Sequence, residues 1–316
     1  MEVASLKLKF GKIGVLMGGP STEREISLKS GKAVYEILNE MGLDVIAIDI
    51  KTDDIKENSF LMKSKKIDCA FIALHGRFGE DGQIQTILDE LKMPYTGSGV
   101  KASTLAMDKI ASRKIFQEHG LSVPGYIILE RSSFNSNQVV CSGLRLPWVV
   151  KPATHGSSIG LSIIDRSEDL DKALESAFSF DERILIEEYI EGRELTVGIL
   201  EDRPLSVIEI CPKKRFFDFQ AKYEHGMTEY IVPAQVDEDI ARQVQETALL
   251  AHRLLGCFGL SRVDIMLSRS NIPFVLEVNT IPGLTLTSLL PKAANAEGID
   301  FGQLCLILLK LAYEKK

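Results

Sequence analysis

The first hundred residues alternate short apolar runs with longer amphipathic ones, and this rhythm narrows the folds open to the chain more than any other feature. Runs at 12–17 (KIGVLM), 44–50 (DVIAIDI) and 68–74 (DCAFIAL) are strand-like, and Ala33, Val34, Ile37, Leu38 and Met41 recur at helical spacing between the first two. Strand, helix, strand in succession is the pattern of a parallel α/β layer. Two Gly-rich turns, Gly18-Gly19-Pro20-Ser21 and 75–82 (HGRFGEDG), follow strand ends. Ligands bind in an open α/β sheet at the carboxyl ends of its strands, so both turns are candidate binding loops. The first turn lacks the G-x-G-x-x-G spacing, which leaves a nicotinamide cofactor without support.

With 316 residues the chain is long for one core, and a length prior predicts two or three domains. Hydrophobic residues at 45% against 26% charged supply enough apolar surface to bury, which excludes a disordered chain. The net charge of −7 argues against nucleic acid and anionic membrane as partners, because neutralising phosphates needs a concentrated basic face. Cys69, Cys141, Cys211, Cys257 and Cys305 are scattered without C-x-x-C spacing and read as reduced thiols. The N-terminus offers no signal-peptide core, and the densest late apolar stretch, 304–312 (LCLILLKLA), is too short to span a bilayer. A cytoplasmic location is expected.

Beyond Ala102 the pattern is helical (TLAMDKIASRKIFQEHG), with Gly120 as the terminating glycine and Pro124 blocking continuation. The polar stretch 131–143 reads as a surface loop. Strand signals return at 147–152 (PWVVKP) and 159–164 (IGLSII), bracketing a loop at 153–158 (ATHGSS), and again at 183–188 and 194–200. A long charged and aromatic loop occupies 213–230.

Two strand-like runs near the C-terminus, 261–267 (SRVDIML) and 274–285 (FVLEVNTIPGLT), carry the strongest chemical signal. A period of two turns Arg262 and Asp264 one way, and Glu277 and Asn279 one way, so the four polar groups can share a face. Two carboxylates and a side-chain carbonyl are hard oxygen ligands, the set Mg²⁺ accepts when nucleotide phosphates complete its shell. Arg262 has two readings, a salt bridge to a neighbouring carboxylate or a stabiliser of an anion. The loop Gly156-Ser157-Ser158-Ile159-Gly160 can cradle a phosphate through its N–H groups and hydroxyls, and by itself also fits a hairpin turn. Lys151 lies in an apolar strand, where a phosphate partner accounts for it better than burial alone. By their local context Lys109, Glu187, Glu188 and Glu194 are ordinary surface charges, and His75 is a satisfied structural histidine. Ser21 or Thr22, with Glu23 or Glu25 in the first turn, reads as a helix cap.

Taken together, 11–31 (GKIGVLMGGPSTEREISLKSG), 74–82 (LHGRFGEDG), 95–109 (YTGSGVKASTLAMDK), 151–161 (KPATHGSSIGL), 222–234 (KYEHGMTEYIVPA) and 262–291 closely resemble D-alanine–D-alanine ligases of the ATP-grasp superfamily, almost end to end. The resemblance implies an α/β, three-lobed ATP-grasp fold. Its lobes would be an N-terminal Rossmann-like domain at 1–104, a central lobe at 105–190, and a C-terminal lobe at 191–316 with a lid loop at 213–228. It implies ligation of two D-alanines through an acyl phosphate for peptidoglycan precursor synthesis, with ATP as co-substrate, two Mg²⁺ or Mn²⁺ ions, and a cytoplasmic homodimer. By position, Lys109 and Lys151 match phosphate-contacting lysines, with Ser158 of the glycine loop beside them. Glu187, Glu188, Tyr189 and Ile190 match the adenine segment, and Glu194 matches the ribose ligand. Asp264, Glu277 and Asn279 match the metal ligands. Glu23, Ser157 and Tyr223 match a hydrogen-bonded trio beside the first D-alanine, His75 matches a residue near that substrate, and Lys222 matches a lysine delivered by the lid. Arg262 and the Gly283 N–H match oxyanion donors, and Ser288 with the Leu289 backbone matches the site of the second carboxylate. The lid departs from many relatives by carrying Phe217, Phe219 and Gln220 in place of tyrosines and a glutamate. Ligases joining D-alanine to D-serine or D-lactate are the near alternative. A non-catalytic nucleotide-binding protein is the distant one, and it would be expected to lack a metal ligand or Arg262.

Overall fold

The computed structural model describes residues 10–134, 139, 142–213 and 226–315. Three sheets follow one another along the chain. The first is parallel, in the order β2 (Val45–Ile50), β1 (Ile13–Gly18), β3 (Cys69–Ile72), with Tyr95 bridging beside Ala70. β1 is buried at every position, as expected of a central parallel strand covered on both faces. Helix Arg24–Glu40 returns the chain from β1 to β2 and packs on both.

The second sheet is antiparallel, in the order β4 (Tyr126–Glu130), β7 (Arg183–Glu188), β5 (Trp148–Pro152), β6 (Ser162–Ile164), and is covered by helix Leu170–Phe178. The third runs β11 (Thr228–Ile231), β10 (Ile208–Pro212), β8 (Gly192–Leu200), β12 (Leu260–Ser268), β13 (Pro273–Asn279), with β9 (Arg203–Pro204) paired to β8. Helix Glu238–Leu254 packs on β13, β12 and β8, while helix Leu289–Ala296 also packs on β8 and helix Phe301–Glu314 on helix Arg24–Glu40. The first and third sheets therefore share one apolar core, joining Phe10, Val15 and Phe71 to Ile208, Leu290 and Leu308.

Four local expectations change. The continuous helix beyond Ala102 is broken into Val100–Met107 and Lys109–Glu118, because Asp108 takes an extended conformation and its carboxylate accepts from the N–H groups of Ile110 and Ala111. The second helix ends as predicted at Gly120, whose φ of +78° permits the N–H groups of Gly120 and Leu121 to reach Gln117 and Phe116. β6 begins at Ser162 and not at 159, since Ser157, Ser158 and Gly160 all have positive φ and keep the chain in a loop. The helix-cap reading of Ser21 fails: its hydroxyl donates to the His75 carbonyl, and the helix starts after Glu23 without a side-chain cap. The expected loop at 213–230 ends earlier, with β11 occupying Thr228–Ile231, and of 131–143 the positions 135–138, 140 and 141 lie outside the described residues. Among the described residues no helix is long and apolar enough to cross a membrane, and all four cysteines are free.

Candidate active site

β12 and β13 pair with Arg262 opposite Asn279 and Asp264 opposite Glu277, and a bulge follows Asp264. The four polar side chains therefore face one way, as the period of two requires. Asp264 is the hub. Its carboxylate accepts from Thr196 Oγ1 at 2.6 Å, from Arg262 Nε and Nη2 at 2.9 and 2.8 Å, and from Asn279 Nδ2 at 3.2 Å. Of the two readings for Arg262, the structure realises the bidentate salt bridge. Lys109 Nζ lies 3.6 Å from Glu277 and donates to the His155 carbonyl at 2.6 Å, which ties helix Lys109–Glu118, the glycine loop and β13 to one point.

This strand pair is shared by two clefts. The first opens between the second and third sheets and is lined by Lys109, Lys151, Ser158 and the run Glu187, Glu188, Tyr189, Ile190. Glu194, Asp264 and Glu277 close its floor. Lys109 and Glu187 are 6% and 2% exposed, so the reading of both as surface charges is overturned. Glu188 lines the same cleft and accepts from the Arg145 N–H at 2.9 Å, and Glu194 is likewise a cleft residue and not an ordinary surface charge. Glu187 receives Arg113 Nε on one oxygen at 2.7 Å and Lys151 Nζ on the other at 2.6 Å. Burial pushes the Glu187 carboxyl up, but the two cations outweigh it and hold it below the carboxylate range. Lys151 is pulled down by burial, with Glu187 opposing.

The second cleft lies between the first and third sheets and is lined by Glu23, His75, Gly156 and Ser157 on one side. Arg262, Asn279, Gly283, Ser288 and Leu289 line the other, and Glu277 belongs to both clefts. Ser157 donates a hydrogen bond to Glu23 across 134 residues of sequence, joining the glycine loop to the first lobe. His75 is satisfied, as expected, and also faces the cleft. Its Nδ1–H donates to the Ile281 carbonyl at 3.1 Å, which leaves Nε2 to accept from Ser30 at 2.9 Å. Burial drives its pKa down to about 4, so the ring is neutral at pH 7. Gly283 lies close against Ser288, and a Cβ there would lie 2.9 Å from Ser288 Oγ, so the hydroxyl would have to move. Ser288 precedes helix Leu289–Ala296, so the N-terminal end of that helix lines the cleft.

Of the candidates, only Lys222 and Tyr223 lie outside the described residues. Four residues absent from the sequence reading enter: Glu80, Thr196, Arg113 and Tyr230, the last lining the second cleft. Glu80 accepts from the Gly76 N–H at 2.6 Å, and burial, followed by the charge of Glu23, raises its carboxyl to about 8. A carboxylate within the second glycine turn was the available signal for Glu80. For Arg113 it was a spacing of one helical turn from Lys109.

The site has no ready-made metal cage, for among the described residues no three His, Cys, Asp or Glu side chains converge on a point. Two acids and an amide fit instead a cation whose remaining ligands arrive with a phosphorylated substrate.

Comparison with known proteins gives the same picture over the whole chain. A family model described as the D-ala D-ala ligase N-terminus matches residues 12–61 and 51–98, and one described as the D-ala D-ala ligase C-terminus matches 115–310. The chain is 46% identical over 299 residues to a D-alanine–D-alanine ligase of Syntrophotalea carbinolica, covering 94% of this chain and 95% of that one. It is 47% identical over 304 residues to the same-named protein of Geotalea uraniireducens, covering 96% of each. Among solved structures, the Bacillus anthracis D-alanine–D-alanine ligase complexed with ATP superposes with a TM-score of 0.84 at 32% identity, covering 96% of this chain and 97% of that one. The VanG D-Ala:D-Ser ligase of Enterococcus faecalis does so at 0.81 and 32%, covering 95% and 99%. With both family models matched and close relatives aligned over nearly the full length, this chain belongs to the D-alanine–D-alanine ligase family.

Proposed function

We propose that this chain joins two D-alanines into D-alanyl-D-alanine at the expense of ATP, for peptidoglycan precursor synthesis. The observation that carries this reading is the meeting of two clefts at Glu277, one lined by paired lysines and one by Arg262 and a helix N-terminus. Such a junction suits transfer of a phosphoryl group from a nucleotide in the first cleft to a carboxylate in the second.

The first D-alanine sits beside Glu23, Ser157 and His75, with its carboxylate directed at the γ-phosphate. Lys109 and Lys151 offset the repulsion between the two anions, and Glu187 to Ile190 with Glu194 hold the nucleoside. Asp264, Glu277 and Asn279 would hold Mg²⁺, for which the oxygen donor set is suited. When bound, the metal supplies positive charge at the phosphate oxygens during transfer. The amine of the second D-alanine, after losing its proton, then attacks the acyl carbon; the tetrahedral oxyanion faces the Arg262 guanidinium and the Gly283 N–H and collapses to the peptide bond as the C–O bond breaks and inorganic phosphate leaves. Ser288 and the backbone at Leu289 anchor the second carboxylate at the helix N-terminus. Lys222 and Tyr223 reach the site from the lid, in keeping with the family pattern. The domain limits at 104 and 190, a homodimer and a cytoplasmic location are carried by the same resemblance, and equilibrium sedimentation measures the assembly.

The deciding experiment is phosphate release and product mass from ATP with D-alanine alone, then with D-serine or D-lactate added. D-alanyl-D-alanine is expected from D-alanine alone. Phosphate release that needs D-serine would move the chain to the specificity in the name of its VanG neighbour, and no release with any of them would sink the ligase reading. Glu277→Gln keeps the shape and removes the charge shared by both clefts, and turnover should fall by at least about 10³-fold in the same assay.

A further inference from the structure

Among the described residues Arg113 is the bulkiest side chain fully withdrawn from solvent, and none of the roles above involves it. Its guanidinium bridges two lobes. Nε donates to Glu187 on β7 at 2.7 Å, and Nη1 donates to the Val275 carbonyl on β13 at 2.6 Å. β13 is the edge of its sheet, and the Val275 N–H is taken by the Ser122 carbonyl, so both outward backbone groups of Val275 are tied to the central lobe. Glu277 follows two residues later on the same strand.

The cluster is poorly arranged for stability alone. Two buried cations, Arg113 and Lys151, share the single carboxylate of Glu187, and Arg113 Nη2 is buried without a hydrogen-bond partner among the described residues. Apolar residues of similar volume would hold such a space at least as well. What the fork adds is geometry and charge division. Facing Glu187 alone, Lys151 would meet a full opposing charge, and an anion in the cleft would have to compete for it. Shared with Arg113, the same carboxylate claims less of Lys151. We propose that Arg113 is a positioning residue for the nucleotide phosphates: by sharing Glu187 with Lys151 and fastening that pair to the strand of Glu277, it keeps the Lys151 charge available to the first cleft. This rests on the reading of that cleft as the ATP site.

The test is equilibrium binding of ATP and of adenosine to the full chain, with thermal unfolding as the check on folding. Arg113→Met should weaken ATP by about tenfold and adenosine by less than about threefold, since only ATP brings phosphates to Lys151. Arg113→Lys should fall between wild type and Arg113→Met, because an ammonium reaches Glu187 or the Val275 carbonyl but not both. In a Lys151→Met background, Arg113→Met should leave the ATP-to-adenosine ratio where Lys151→Met had put it. Equal losses for both ligands, or losses that add to those of Lys151→Met, would overturn the inference. Should Arg113→Met not fold, an unchanged ratio in Arg113→Lys would overturn it as well. A wild-type chain that binds no ATP overturns the nucleotide reading itself, which keeps the two failures apart.

Discussion

Asp264 shows how much a single residue's neighbours decide. It is 7% exposed and bonded on three sides, by Thr196, Arg262 and Asn279, so a cation entering there must displace part of an existing network. Arg262 is held flat against it by two parallel bonds, a geometry that a lysine ammonium cannot reproduce. Arg262→Lys is therefore expected to lower kcat by about 10²- to 10³-fold while the charge is kept, measured at saturating ATP and D-alanine. The strand period made the shared face of Arg262, Asp264, Glu277 and Asn279 legible in the sequence. The burial of Lys109 and Glu187 was not legible, because alternation says which residues share a face but not which face another lobe will cover.

At the scale of elements, the break at Asp108 matters most. Uninterrupted helix formers on both sides suggested one helix, yet Asp108 stops the first and caps the second, and it also receives Arg183 at 2.8 Å. The cap starts the second helix so that Lys109 and Arg113, one turn apart, both face inward. Asp108→Ala should cost about 1–2 kcal/mol, seen as a lower urea midpoint with unchanged slope, and should also raise KM for ATP through the displaced Lys109. The glycine loop makes a similar point. Gly156 and Gly160 marked it in the sequence, but the left-handed backbone of Ser157 and Ser158 and the hydrogen bond from Ser157 to Glu23, remote in sequence, were not legible there.

For the whole molecule, the core shared by the first and third sheets ties the two ends of the chain together, and two buried histidines and one half-buried acid are among the groups that shape its response to pH. His75 and His252 are held at about 4 by burial, so between pH 4 and 6.5 the unfolded chain binds protons the folded one refuses, and stability falls as pH falls. Glu80, raised to about 8, acts the other way: the folded chain keeps a proton that the unfolded chain has lost above 4.5, so stability falls as pH rises toward 8. Below 6.5 the two histidines outweigh Glu80, with His155, also lowered by burial, adding to their side, and beyond it Glu80 reverses the trend. Unfolding in urea of the ligand-free chain from pH 5 to 8 should show a maximum near pH 6.5, and Glu80→Gln should flatten the alkaline side. By itself the sequence determined the elements and their chemistry: apolar runs, glycine turns and a strand pair with its polar face, because these depend on spacing along the chain. The motifs it shares with its relatives added the family. Only the tertiary structure decided which charges are buried and paired. Glu23 with Ser157, Arg113 with Glu187, and Lys109 with Glu277 are joined by packing between lobes, and desolvation, which sets what each group can do, depends on neighbours that no local pattern encodes.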